Sequence, residues 1–293
     1  SPDAVRYAGE YLSVVSFGCP FAFLNATLFG LYNGRGKSNL AFLANGSGLI
    51  INLLLDPLLI EGYWIFPRLE VIGAGWATDI AQAIVTVLFI ILNIPRRAPF
   101  HGLFRGFRFA WSFARRIIRL GIPVTLLNGL FAFISLIVAR LVARWGDMGV
   151  AVQSVGAQIE AISWMTAGGF STALSSFVGQ NWGAHNLARI KKGYRITLSY
   201  MLTLGVVTTL LFMVWGSEIM GFFIPEMEAR RLGGAYLFII GISQIFMILE
   251  ITNSGVFNGI SRTLYPAVVG TTFNLLRIPL ALWWGAICLE GIW

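Results

Sequence analysis

The chain has 293 residues, of which 57% are hydrophobic and only 12% charged, and its formal charge is +8. Soluble domains carry about 25% charged residues, so this composition excludes an ordinary soluble domain and describes a polytopic membrane protein. Two cysteines in apolar runs and two histidines far apart exclude a disulfide framework and a histidine-based metal set.

Apolar runs of about spanning length follow one another at 10–32, 40–60, 71–94, 117–143, 149–178, 196–215, 232–257 and 264–289. All eight are predicted to be helices. A lone apolar run in lipid can satisfy its backbone only through helical hydrogen bonds.

The connectors alternate in charge. Residues 33–39, 95–119, 183–195 and 258–263 hold most of the basic residues and no acid. The opposite set carries Glu61, Glu70, Asp147, Glu218, Glu226, Glu228 and Glu290. An excess of Lys and Arg marks cytoplasmic loops, so Arg35, Arg105 and Lys191 are expected inside the cell. This also accounts for the basic charge without a nucleic-acid partner. Residues 95–116 interleave aromatics with arginines. They read either as an amphipathic segment on the inner leaflet or as a solvated linker between two halves. The sequons at Asn25 and Asn45 fall inside apolar runs and are not read as glycosylation sites.

The fifth run, with its flanks, is far longer than the roughly 20 apolar residues that cross a bilayer. From Met148 to His185 its one formal charge is Glu160. Gln153, Gly156, Glu160, Ser163, Ala167, Ser171 and Ser175 recur at helical spacing and share one face. A carboxylate inside a membrane segment is costly and marks a candidate site. The alternative is a packing face with one buried, hydrogen-bonded Glu.

An internal repeat runs through the chain. Tyr11-Leu12 matches Tyr236-Leu237, Gly30 matches Gly255, and Asn33-Gly34 matches Asn258-Gly259, all about 225 positions apart. Asn52 and Asn274 open similar segments at a slightly smaller offset. The repeat suggests units of six helices in parallel orientation. The expectation is an incomplete pair: three helices of a first lobe at 1–94, a basic linker at 95–116, and five helices of a second lobe at 117–293.

These residues resemble the multidrug and toxic compound extrusion (MATE) family. Residues 177–194, FVGQNWGAHNLARIKKGY, are similar to its VGQ-x-x-GA motif after the eighth helix. LYNGRGKSN (31–39) and VFNGISRTLYP (256–266) resemble its paired RG-x-GDT-x-x-P connectors. They depart from it in having Asn33 and Asn258 in place of Arg, with no Asp following. IINLLLDPLLI (50–60) and GAGWATDIAQ (73–82) resemble its fifth and sixth helices.

The resemblance implies an all-α fold of two six-helix lobes related by a pseudo-two-fold along the membrane normal. It implies a multi-pass protein of the plasma (inner) membrane that exports amphipathic organic cations by alternating access. The coupling ion is Na+ or H+, with no other cofactor. Lipids are the other partners, and the expected state is a monomer.

In some members an Asn and an Asp four apart on the fifth helix, with a Thr on the sixth, build a cation site. Asn52, Asp56 and Thr78 match that pattern, and Asp79 lies beside them. For substrate, Glu160, Gln153, Ser163 and Trp164 are candidates on the fifth run. Glu250, Asn253 and Arg277 are candidates further on, although the family's tenth-helix carboxylate position holds Met247 here. A lipid-linked saccharide flippase of the same superfamily, or an inactive fragment or scaffold, remains an alternative. An enzyme is not expected, since no HExxH or Ser/His/Asp arrangement occurs.

Overall fold

The computed structural model describes residues 2–63, 67–94, 109–143 and 146–288, and within these the side chains of residues 6–276 and 279. The described residues form helices and short turns, with no strand among them. The helices are α1 (Pro2–Gly34), α2 (Ser38–Ile60), α3 (Glu70–Leu92), α4 (Trp111–Val142), α5 (Gly146–Gly183), α6 (Leu187–Phe223), α7 (Met227–Gly259) and α8 (Leu264–Cys288). They fall into two compact units, Ser1–Phe109 and Ala110–Trp293.

Among the described residues, α1, α2, α3, α4, α6 and α7 are long and apolar enough to cross a membrane. The eight helices stand where the sequence predicts eight spans. α5 is 38 residues long and carries Gly, Ser, Thr and Gln along its length. α8 spans Leu264–Cys288, and Leu264–Leu276 is its apolar stretch among the residues whose side chains are described. The expected linker is corrected at its end, because α4 already begins at Trp111. Residues 95–108, which include Arg105, lie outside the described residues.

The repeat is visible in the helices themselves. α1 and α7 are both 33 residues long, and the sequence offset carries the bounds of one onto the other. Each ends in the same turn. The Lys37 N–H donates to the Tyr32 carbonyl at 2.9 Å, and the Arg262 N–H donates to the Phe257 carbonyl at 2.8 Å. The residues just before those donors, Gly36 and Ser261, are left-handed, at φ 70 and φ 60. This six-to-one closure with a left-handed residue is a Schellman cap, which satisfies helix-end carbonyls locally. A third copy ends α5, where Asn186 donates to the Asn181 carbonyl at 2.9 Å and His185 sits at φ 55.

In the first unit α3 packs against both α1 and α2. Leu28, Tyr32, Ala41, Ala44, Val85 and Phe89 form its buried apolar cluster. α2 meets α3 through small residues, with Gly48 beneath Val85 and Gly73 against the Leu59 carbonyl. Small residues let helix backbones approach closely where lipid supplies no hydrophobic drive.

In the second unit α7 packs on α5 and α6, and α4 pairs with α8. The Thr263 hydroxyl donates to the Leu120 carbonyl at 2.9 Å across that pair. α6 bends at Trp215, whose φ −113 and ψ 16 leave the helical region beside Gly216. Large apolar side chains such as Phe131, Phe133 and Leu136 on α4 are exposed, as a lipid-facing surface requires.

Candidate cation and substrate sites

The first unit is held by a polar seam between α1 and α3. Asn25 Nδ2 donates to Gln82 Oε1 and to the Gln82 carbonyl, both at 2.8 Å. The Thr86 hydroxyl donates to Asn25 Oδ1 at 2.8 Å. One heptad on, the Tyr32 hydroxyl donates to Asn93 Oδ1 at 3.1 Å. Both pairs are 61 residues apart in sequence, so α1 and α3 run parallel with heptad contacts. Stepping back one heptad gives Gly18 and Asp79, and there the Asp79 carboxylate lies directly against Gly18.

The predicted cation residues are brought only partly together. Asn52 Nδ2 donates to Asp56 Oδ1 at 3.4 Å along one turn of α2, and both side chains are half-buried. The Thr78 hydroxyl is instead engaged in its own helix, donating to the Ala74 carbonyl at 3.0 Å. Asp79 is only 6% exposed. Its Oδ2 is buried and has no hydrogen-bond partner.

In the second unit the polar face of α5 turns inward as its spacing predicts. Gly156, Ser163 and Ala167 are buried, while Gln153, Glu160, Ser171 and Ser175 are half-buried. Glu160 Oε1 accepts a hydrogen bond from Gln244 Nε2 of α7 at 3.3 Å. Gln244 is fully buried, and its own Oε1 is unpartnered, as is the Ser163 hydroxyl at 5% exposure. Trp164, one turn from Glu160, is exposed.

Further along the same contact, the Ser171 hydroxyl donates to the Ile251 carbonyl at 2.8 Å, and Gly255 lies against Ser171. Only glycine fits there, because a Cβ at Gly255 would stand 2.7 Å from the Ser171 carbonyl oxygen.

Asn253 bonds away from its neighbour Glu250. It accepts from the Tyr194 hydroxyl at 2.9 Å and donates to the Leu249 carbonyl at 2.8 Å. Glu250 is exposed on α7, with its Oε1 beside Gly270 of α8. The Arg277 side chain lies outside the described residues.

Sequence reasoning missed Gln244, Asn25, Gln82 and Gly18. The available signal was the amide itself. A Gln or Asn within an apolar helix must find a partner, since lipid offers none.

Long apolar helices, polar side chains turned into each unit, and an internal helical repeat define a multi-pass α-helical membrane protein. Residues 123–283, more than half of the chain, match the model of the MatE family. The chain belongs to that family.

It is 26% identical over 284 residues to a probable multidrug resistance protein NorM of Thermotoga maritima, covering 94% of this chain and 59% of that protein. It is 23% identical over 250 residues to the multidrug export protein MepA of Staphylococcus haemolyticus, covering 85% and 54%. The chain thus spans under two thirds of the length of these curated relatives.

Among solved structures, an outward-facing multidrug resistance MATE family transporter of the MOP superfamily matches with a TM-score of 0.84 at 20% identity. The match covers 93% of this chain and 60% of that one. A MATE crystal structure in the straight conformation matches with a TM-score of 0.82, also at 20% identity. At this identity the likeness establishes the fold.

Proposed function

We propose that this chain works in cation-coupled export of amphipathic organic cations, in exchange for H+ or Na+. The observation that carries the reading is Glu160, a carboxylate set inside the helices of the second unit and held by a buried amide of α7. A carboxylate in low dielectric attracts either an organic cation or a proton, and cannot hold both. That exclusion is the simplest basis for antiport.

In the first unit the Asn52–Asp56 pair, with Thr78 and Asp79 on the neighbouring helix, supplies the coupling ion's ligands in this reading. The names of the relatives support drug export, since those proteins are called multidrug resistance and export proteins. A saccharide-lipid flippase is not favoured, because a pyrophosphate headgroup calls for cations where the described units present carboxylates.

The test is ethidium efflux from vesicles carrying the whole gene product, with proton and sodium gradients imposed separately. Efflux driven by one gradient is expected. Glu160→Gln keeps the side chain's shape and removes its charge, so it should weaken ethidium binding by about tenfold and flatten its pH dependence. Gradient-independent fluxes, or unchanged binding across pH in that variant, would sink the reading.

A further inference from the structure

The start of α6 carries a patch of charge that the export reading leaves unused. Within residues 187–195 it holds Arg189, Lys191, Lys192 and Arg195, all exposed. The short turn before it, 184–186, holds no Lys or Arg. These cations are therefore fixed on a helix and not carried in a loop.

Their height in the membrane follows from the rest of α6. Residues 196–217 carry no charge, and at about 1.5 Å per residue they run about 33 Å, close to a hydrocarbon core of about 30 Å. Glu218 then marks the far edge. Arg195 stands at the near edge, where lipid phosphates lie, and Arg189 is only about 9 Å further out.

Their direction follows from what α6 packs against. Gly193 lies against the Phe177 ring of α5, and the Tyr194 hydroxyl donates to Asn253 of α7 at 2.9 Å. Met201, Gly205 and Thr208 continue that inward face and are buried. Lys192 and Arg195 fall on the opposite stripe. It continues along the helix as Ile196, Val206, Leu210 and Val214, all exposed. Cations and lipid-facing side chains thus share one side of α6. Residues three apart on a helix have Cβ atoms about 5–6 Å from each other, so one phosphate can touch both Lys192 and Arg195. Arg189 is held at the flank over the Phe177 ring, 5.9 Å from its centroid.

We propose that the start of α6 seats an anionic phospholipid of the inner leaflet, with its phosphate on Lys192 and Arg195 and its acyl chains along the apolar stripe beyond them. The excess of Lys and Arg marks this end of α6 as cytoplasmic. Ammonium and guanidinium groups give a phosphate charge-assisted hydrogen bonds, which are stronger than neutral ones. The adjoining stripe favours a phosphate that carries tails over a free one. A patch of like charge favours a headgroup of net negative charge over one that adds its own cation. Such a seat depends only on α6 crossing the membrane, whatever the protein exports.

The experiment is native mass spectrometry of the purified whole gene product, offered equal amounts of phosphatidylglycerol and phosphatidylcholine with the same chains. Phosphatidylglycerol should be retained in preference. The double variant Lys192→Gln with Arg195→Gln should lower its retention by about tenfold and leave phosphatidylcholine unchanged. Arg231→Gln removes an exposed cation from the opposite end of the unit and should change neither. Undiminished phosphatidylglycerol in the double variant, or an equal loss in Arg231→Gln, overturns the proposal. So does equal retention of the two lipids by the unmodified protein, the result if another helix covers this face.

Two measurements need no variant. Raising sodium chloride from about 0.1 M to about 1 M shortens the screening length from about 10 Å to about 3 Å, and should release phosphatidylglycerol. Inorganic phosphate at matched ionic strength should not displace it. Retention indifferent to salt, or displacement by phosphate alone, also overturns the proposal.

Discussion

The two units solve the same problem with different chemistry. Between α1 and α3, helices are held by side chains that bond each other, in the Asn25–Gln82–Thr86 cluster and the Tyr32–Asn93 pair. Between α5 and α7, much of the contact is backbone against glycine, at Ser171–Gly255 and Ser175–Gly259, with one hydroxyl bonded to a carbonyl and one side-chain bond, Gln244 to Glu160. A side-chain network tolerates small shifts of the helix axes, because rotamers adjust. A glycine contact does not, because a carbonyl oxygen at van der Waals distance has nowhere to go. The α5–α7 contact should therefore be the more sensitive to added volume, and the α1–α3 contact to lost polarity.

The largest effect is expected where volume meets backbone. Gly255→Val would drive a side chain into the Ser171 carbonyl and should cost about 3 kcal/mol or prevent folding. Thermal unfolding in detergent reads this, and an unchanged midpoint would break the distinction between the units.

Next comes Asn25→Ala, which leaves Gln82 Oε1 without its donor and Thr86 with only its bond to the Gln82 carbonyl, and should cost about 2 kcal/mol. A double-mutant cycle with Thr86→Val sharpens it. If the two losses add without coupling, the cluster is not a network.

Tyr32→Phe removes one buried hydrogen bond and keeps the ring against Phe89, so a loss of about 1 kcal/mol is expected.

The smallest effect has the opposite sign. Ser261 holds the left-handed position that Gly36 holds in the other copy of the turn. Ser261→Gly should raise stability by about 0.5 kcal/mol, the relief of strain exceeding the entropy that glycine adds to the unfolded chain. A matching Gly36→Ser should lower it.

Much of this architecture was legible because its signals are local. Runs of apolar residues gave the helices, and the offset of Asn33-Gly34 against Asn258-Gly259 anticipated that α1 and α7 correspond, while their equal lengths and equal caps emerge only in the structure. The inward face of α5 followed from the spacing of Gly156, Glu160 and Ser163.

What escaped notice lies between helices distant in sequence. Asn25 carried only the look of a sequon, and nothing near it points to Gln82 or Thr86. Gln244 lies 84 residues from Glu160, and neither reveals the other. Asp79 could not be read as buried without Gly18, since burial there depends on the absence of a side chain on another helix. Thr78 donates its hydroxyl hydrogen to its own helix, at the Ala74 carbonyl four residues back, a bond that any helical threonine can make and that its spacing does not reveal.

The three Schellman caps bear on how the protein is made. Each corner, after α1, α5 and α7, is closed by bonds spanning no more than five residues, and needs nothing from elsewhere in the chain. A ribosome feeding the membrane can therefore complete a corner as soon as its few residues emerge, before either neighbouring helix has met its eventual contacts. Hairpins would enter the bilayer with their bend already set. Assembly then becomes a matter of gathering preformed hairpins, and the glycine contacts and polar seams need only choose among them.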